Sequence, residues 1–99
     1  MTISKNVNGQ SVEMFLEGRL DTTTAPQLDA ELKDLLPVIT ELKLNFSKLE
    51  YISSAGLRVL LATQKALNAK KGSMVVCNVN ETISEVFEVT GFSDILTIE

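Results

Sequence analysis

Leu42-Lys43-Leu44-Asn45-Phe46-Ser47 alternates apolar and polar residues, the two-residue period of a strand with one buried face. Lys48-Leu49-Glu50-Tyr51-Ile52 follows as a short connection, and then Ser53-Ser54-Ala55-Gly56. From there the period changes, because Leu57, Leu60, Leu61 and Leu67 recur at helical spacing. Two hydroxyls therefore stand at a strand-to-helix turn. Either Ser53 or Ser54 can be the N-cap, accepting a hydrogen bond from an early backbone N–H. The same place carries the positive end of the helix dipole, and its unpaired N–H groups suit a phosphate. Capping is the plainer role for both serines; a phosphate site is the more specific one.

Outward from this stretch, the chain is organised as one domain over residues 1–99, long enough for its own core. No apolar run approaches the ~20 residues that span a bilayer, so membrane insertion is not expected. The opening Met1-Thr2-Ile3-Ser4-Lys5 lacks the pattern of a signal peptide. Cys77 is the single cysteine and lies in an apolar run, which predicts a buried core thiol. These features predict a cytoplasmic protein. The net charge of −4 argues against sequence-independent nucleic-acid binding, which rests on Lys and Arg contacts to phosphates. Lys70-Lys71, the one adjacent basic pair, marks a helix C-terminus.

Taken in order, Thr2–Val7 is a weak strand and Asn8-Gly9 a hairpin signal. Ser11–Glu17 alternates, with Val12, Met14 and Leu16 on one face, so the first two strands form an antiparallel pair. Gly18-Arg19-Leu20-Asp21 leaves the sheet. Thr24-Ala25-Pro26-Gln27 has the form of a capping box with proline in the first turn. Leu28, Leu32, Leu35 and Leu36 give the next helix one apolar stripe, and Pro37 ends it. Gly72 is expected at C′ after the second helix. Met74-Val75-Val76-Cys77 lacks alternation and predicts a strand covered on both faces. Asn80 caps a third helix, residues 81–90, with Ile83, Val86 and Phe87 inward and Gly91 as its stop. Phe92 and residues 95–98 pack back, the latter as a short last strand. The expected fold class is α/β, with a mixed β-sheet and helices packed on it.

The chain contains no histidine, which removes the commonest general base and metal ligand and rules out a Ser–His–acid triad. With one cysteine, no zinc site of the usual kind is expected, and no cofactor fingerprint is present. Lys71-Gly72-Ser73 lacks the upstream glycine of a phosphate loop. Asp29 and Lys33 read as an i,i+4 surface pair. No catalytic residue, cofactor or metal is therefore assigned, and an enzyme has no positive support.

Leu44-Asn45-Phe46-Ser47 followed by Tyr51-Ile52-Ser53-Ser54-Ala55-Gly56-Leu57-Arg58-Val59-Leu60-Leu61 resembles the signature of the STAS domain, and most closely that of stand-alone bacterial anti-sigma factor antagonists. The family pattern is a strand ending in Asp-Leu-Ser, then an apolar-apolar-Asp-Ser-Ser/Thr-Gly-Leu turn into a helix. Gly18-Arg19-Leu20-Asp21 matches the family's Gly-x-Leu-Asp. The resemblance implies a STAS-like fold and a partner switch. In such a switch the unphosphorylated antagonist binds an anti-sigma factor that is also a Ser/Thr kinase, which releases a sigma factor. Phosphorylation of a serine at the helix start ends binding, and a PP2C-type phosphatase restores it. Placing Gly56 on the family's glycine puts the acceptor at Ser54, with Ser53, where the family has Asp, as the second candidate. Asn45 likewise replaces the strand Asp, so each departure removes a carboxylate near the switch. Asp21 is either an acidic contact or a loop cap.

The partner-binding surface expected from this resemblance comprises Asp21, Ser53, Ser54, Gly56, Arg58, Val59 and Ala62. On the second helix Leu57, Leu60, Leu61 and Leu67 fall on one side as core. Val59, Ala62, Ala66 and Ala69 form a smaller stripe that is either interface or core. The free protein is expected to be a monomer. The alternative function is a STAS adaptor without a phosphoswitch, a subunit of a signalling or lipid-transport assembly.

Overall fold

A computed structural model describes all residues, Met1–Glu99. The chain runs β1 (Thr2–Asn8), β2 (Ser11–Leu20), α1 (Ala25–Leu35), β3 (Glu41–Ile52), α2 (Ser54–Ala69), β4 (Ser73–Cys77), α3 (Glu81–Thr90), a single 3₁₀ turn (Phe92–Asp94) and β5 (Thr97–Ile98). The five strands form one sheet in the order β1-β2-β3-β4-β5. β1 is antiparallel to β2, and every other pairing is parallel. The α/β class and the mixed sheet are as expected.

The hairpin is offset by one residue from its sequence signal. Asn8 pairs with Ser11, so the loop is Gly9-Gln10, and Gly9 takes the positive φ of +62° at the first loop position. β2 runs on to Leu20: Arg19 and Leu20, expected outside the sheet, pair with Tyr51 and Ile52. The segment 48–52, expected to be a connection, is also strand. Ten residues of β2 lie opposite twelve of β3, and the register slips twice, after Phe15 and after Gly18. Each slip places an extra residue in β3. The buried positions of β3 are accordingly Leu42, Leu44, Phe46, Leu49 and Ile52. Both three-residue steps cross a bulge, which restores the inward face and hides the strand from a two-residue period.

One core cluster joins the inward residues of β2, β3 and β4 to Leu28 and Leu32 of α1, Leu57, Leu60 and Leu67 of α2, and Ile83 and Phe87 of α3. All three helices thus cover one face of the sheet. The other face is open, and it corrects two expectations. β4 is covered on one face only, with Val75 half-buried on the open side. Cys77 is buried, yet it lies outside the core cluster, on the open face beside Asn45 and Asn78. Desolvation holds its thiol above the ordinary value.

The helix ends follow the sequence in part. Asn80 caps α3 by accepting from Ile83 N–H at 2.8 Å, and Gly91 closes it with φ +82°. α2 ends in a Schellman motif with Lys71, not Gly72, in the left-handed position at φ +61°. Gly72 N–H donates to Leu67 C=O at 2.7 Å and Lys71 N–H to Asn68 C=O at 3.1 Å. Gly72 is one residue further on, where a Cβ would lie 2.3 Å from the Thr40 carbonyl oxygen.

Candidate functional site

Parallel strands β2 and β3 end side by side, and that juxtaposition builds the site. Leu20 and Ile52 are paired, so Asp21 and Ser53 leave the sheet as neighbours, and Ser53 N–H donates to Leu20 C=O at 2.9 Å. α2 starts at once. Leu57 N–H donates to Ser53 C=O at 2.9 Å, which leaves the N–H groups of Ser54, Ala55 and Gly56 ahead of the first intrahelical bond.

The two serines differ. Ser53 is the N-cap residue by position, with extended backbone, but its side chain makes no cap bond. Its Oγ is buried and has no hydrogen-bond partner. Ser54 is exposed. The expected cap bond is therefore absent at Ser53, and Ser54 lies inside the helix, past the capping position.

Gly56 is buried under the end of the sheet. A Cβ there would sit 2.7 Å from Leu20 Cγ and 2.9 Å from Ile52 Cγ1. The glycine lets the first turn of α2 pack directly on the last residues of β2 and β3.

Asp21 organises the loop into α1. Its Oδ1 accepts from Thr23 N–H at 3.0 Å, Thr23 Oγ1 at 2.7 Å and Thr24 N–H at 3.2 Å. Thr24 Oγ1 accepts in return from Asp21 N–H at 2.8 Å. This reciprocal pair is a capping box, three residues earlier than the Thr24–Gln27 box expected from sequence. Thr24 makes no side-chain cap bond at α1, and Gln27 instead donates to the Met1 carbonyl at 3.0 Å. The Thr23 hydroxyl above all, with the backbone donors, holds the Asp21 carboxyl below its ordinary value. Asp21 Oδ2 faces Arg19 Nε at 3.8 Å, and the Arg19 guanidinium lies 4.4 Å from the centre of the Tyr51 ring.

Beside the serines, α1 and α2 flank a shallow groove of about 350 Å³. Thr22, Pro26 and Asp29 line one wall, and Ala55, Arg58, Val59 and Ala62 the other. Ala62, Ala66 and Ala69 are exposed and Val59 half-buried, so the small-residue stripe of α2 is surface. The inner face of α2 is Gly56, Leu57, Leu60, Thr63, Gln64 and Leu67; Leu61, expected in the core, is half-buried at its margin.

The STAS domain profile matches residues 2–99. The chain belongs to the STAS domain family. It is 38% identical over 84 residues to BtrV of Bordetella bronchiseptica, provisionally named an anti-sigma factor antagonist, covering 84% of this chain and 72% of that one. The anti-sigma-B factor antagonist of Bacillus subtilis is 29% identical over 91 residues, 92% of this chain and 84% of that one. The fold is that of the unphosphorylated anti-sigma factor antagonist SpoIIAA (TM-score 0.80, 22% identity, 99% of this chain and 87% of that one). SpoIIAA has also been solved in a phosphorylated form, with TM-score 0.79.

Within the STAS fold, the expected site residues fall into two groups. Asp21, Ser53, Ser54 and Gly56 meet at the shared end of β2 and β3; Arg58, Val59 and Ala62 continue from them along the groove. Asn45 stands apart and corrects the expectation that it sits near the switch. It lies eight residues before Ser53, roughly 20–25 Å along an extended strand. On the open face it donates to Glu13 Oε2 at 3.1 Å and accepts from Ser47 N–H and Asn78 Nδ2. Sequence reasoning missed Arg19 and Tyr51 as a stacked pair beside Asp21. The detectable signal was their matched place at the ends of two strands, which requires the bulged register to be known.

Proposed function

We propose that this chain is an anti-sigma factor antagonist that works by partner switching. Its unmodified form binds an anti-sigma factor that is also a Ser/Thr kinase, and phosphorylation of Ser54 ends the binding. The observation that carries this reading is the exposed Ser54 on the first turn of α2, next in sequence to Ala55 of the groove that Arg58, Val59 and Ala62 also line. The names of the STAS relatives support the class of partner. Ser53 is the poorer acceptor, since its Oγ is buried. In the transfer, Ser54 Oγ bonds to the γ-phosphorus of ATP, the bond to the bridging oxygen breaks, ADP leaves, and the hydroxyl proton passes to a kinase base.

Phosphate brings about −1.5 to −2 charges. At a helix N-terminus the dipole and free N–H groups tolerate that charge. At a protein interface the same dianion must be stripped of water, at a cost of several kcal/mol, against roughly 8 kcal/mol for a micromolar complex. A PP2C-type phosphatase would reset the switch. Asp21, with Oδ1 committed to its own turn, would meet a partner through Oδ2 together with Arg19, whose Nε faces that oxygen at 3.8 Å. The protein would act as a cytoplasmic monomer without cofactor or nucleic acid, and no helix is long and apolar enough to cross a membrane.

Mass spectrometry of the protein isolated from its own cells tests the switch. Phosphate on Ser54 in part of the population supports it, and phosphate on Ser53 alone moves the acceptor. Both serines unmodified across growth and stress conditions overturn it. That last outcome favours the second reading, a constitutive STAS adaptor of a signalling or lipid-transport assembly. The uncharged Ser53 in place of the family's Asp, its Oγ buried, gives that reading its weight.

A further inference from the structure

We propose that Arg58 is an internal clamp for phosphate on Ser54, and that clamping withdraws its guanidinium from the α1–α2 groove. The inference rests on Ser54 as the acceptor and adds how modification reaches the binding surface. Arg58 is exposed, lines the groove and lies one helical turn after Ser54. Side chains four apart on a helix are neighbours, and an acid preceding a base is the better order. A guanidinium offers a phosphate two parallel donors.

The competing charges nearby are already engaged. The chain's ion pairs are Lys5–Glu31, Arg19–Asp21, Lys33–Asp29 and Lys43–Glu99, and Arg58 belongs to none of them. Asp29, the acid across the groove, holds Lys33 at 2.9 Å. Arg19, the other cation near the serines, is stacked on Tyr51 and faces Asp21. Phosphate on Ser54 therefore meets one uncommitted guanidinium within reach along its own helix. Modification then does two things: it adds an anion beside Ala55, next to the groove, and removes a cation from the groove wall.

The test titrates the full chain carrying phosphoserine at position 54, installed during translation, by phosphorus NMR. Four proteins are compared: Arg58 retained, Arg58→Lys, Arg58→Gln and Arg19→Gln. With Arg58 retained, the second phosphate ionisation should lie about 0.3–0.5 pH unit below that of Arg58→Gln. Arg58→Lys should fall between, and Arg19→Gln should match the protein that retains both arginines. A titration unmoved by Arg58→Gln, or moved only by Arg19→Gln, overturns the clamp. Arg58 is exposed, so its variants keep the fold; were Arg58→Gln to unfold, the Arg58→Lys difference would decide. Installing the phosphate without a kinase separates this outcome from whether cells modify Ser54.

Discussion

Ser53 shows how much a single hydroxyl can mislead. In sequence it is an ideal N-cap, and Ser→Ala at a working cap costs about 1 kcal/mol. Here its Oγ is buried without a partner, so Ser53→Ala removes a desolvated group and breaks no bond. Thermal unfolding of Ser53→Ala should show unchanged stability or a gain of up to about 1 kcal/mol, roughly 4–8 °C at this size. A loss of about 1 kcal/mol would reveal a working cap. Asn45 is the second instructive residue. Its Nδ2 donates to Glu13, and its Oδ1 accepts from Ser47 and Asn78. Restoring the family's acid with Asn45→Asp keeps both acceptor bonds but sets two carboxylates about 3 Å apart. Two like charges that close disfavour ionisation of both together. That repulsion should make Asn45→Asp less stable than the parent at pH 7, by about 1 kcal/mol, with the gap closing as the pH falls and proton uptake removes one of the charges. Unfolding curves at pH 7 and 4.5 measure it. Asp21 was legible as an acidic contact or a loop cap, and it does cap, but its partner Thr24 was not legible, since the familiar box ends in Glu or Gln, which pointed instead to Gln27.

Elements account for the rest of the switch region. The first turn of α2 lies so close to Leu20 and Ile52 that Gly56→Ala must overpack. Overpacking costs about 1–3 kcal/mol, offset by about 0.5–1 from helix propensity. A net loss of about 1–2 kcal/mol in urea unfolding is expected, whatever happens to binding. The outer stripe of α2 behaves oppositely. Ala62 is exposed at the groove, so Ala62→Glu should leave the circular dichroism spectrum and melting temperature unchanged while weakening partner binding about tenfold or more by calorimetry. Unfolding of Ala62→Glu would place that stripe in the core. The helix was legible from its leucines, but its inner face was not: Thr63 and Gln64 are buried there, and polarity disguised them. Thr63 Oγ1 is satisfied by the Val59 carbonyl at 2.8 Å, so a helix can bury it at little cost. β3 was cut short for a different reason, since two bulges break the alternation on which strand reading depends.

For the whole molecule, element order and class were legible because each strand and helix carried its own period and punctuation. The layer count was not. Met74-Val75-Val76-Cys77 predicts cover on both faces, yet all helices lie on one side, and Val75 and Cys77 are sheltered by their sheet neighbours instead. A single core on one side makes the fold one cooperative unit, and Ser54 lies outside that core. Phosphate on Ser54 should therefore leave hydrogen-exchange protection of β2, β3 and β4 unchanged, with differences confined to the start of α2. Loss of protection across the sheet would mean that modification acts by unfolding.

Parallel pairing of β2 with β3 sorts the chain's termini of elements into two poles. The strands' far ends converge on Asp21 and Ser53, while their near ends gather the Gly9-Gln10 hairpin with the start of β3 at Glu41. The poles are separated by the length of the longest strands, in a body only 32 × 27 × 21 Å across. Sequence drift, an inserted loop or a fluorescent label can accumulate at the hairpin pole without reaching the serines. At the other pole a single added methyl group on Gly56 is felt. The same short domain thus offers a permissive handle and a constrained trigger at opposite ends, so a reporter inserted between Gly9 and Gln10 can follow partner exchange as an onlooker.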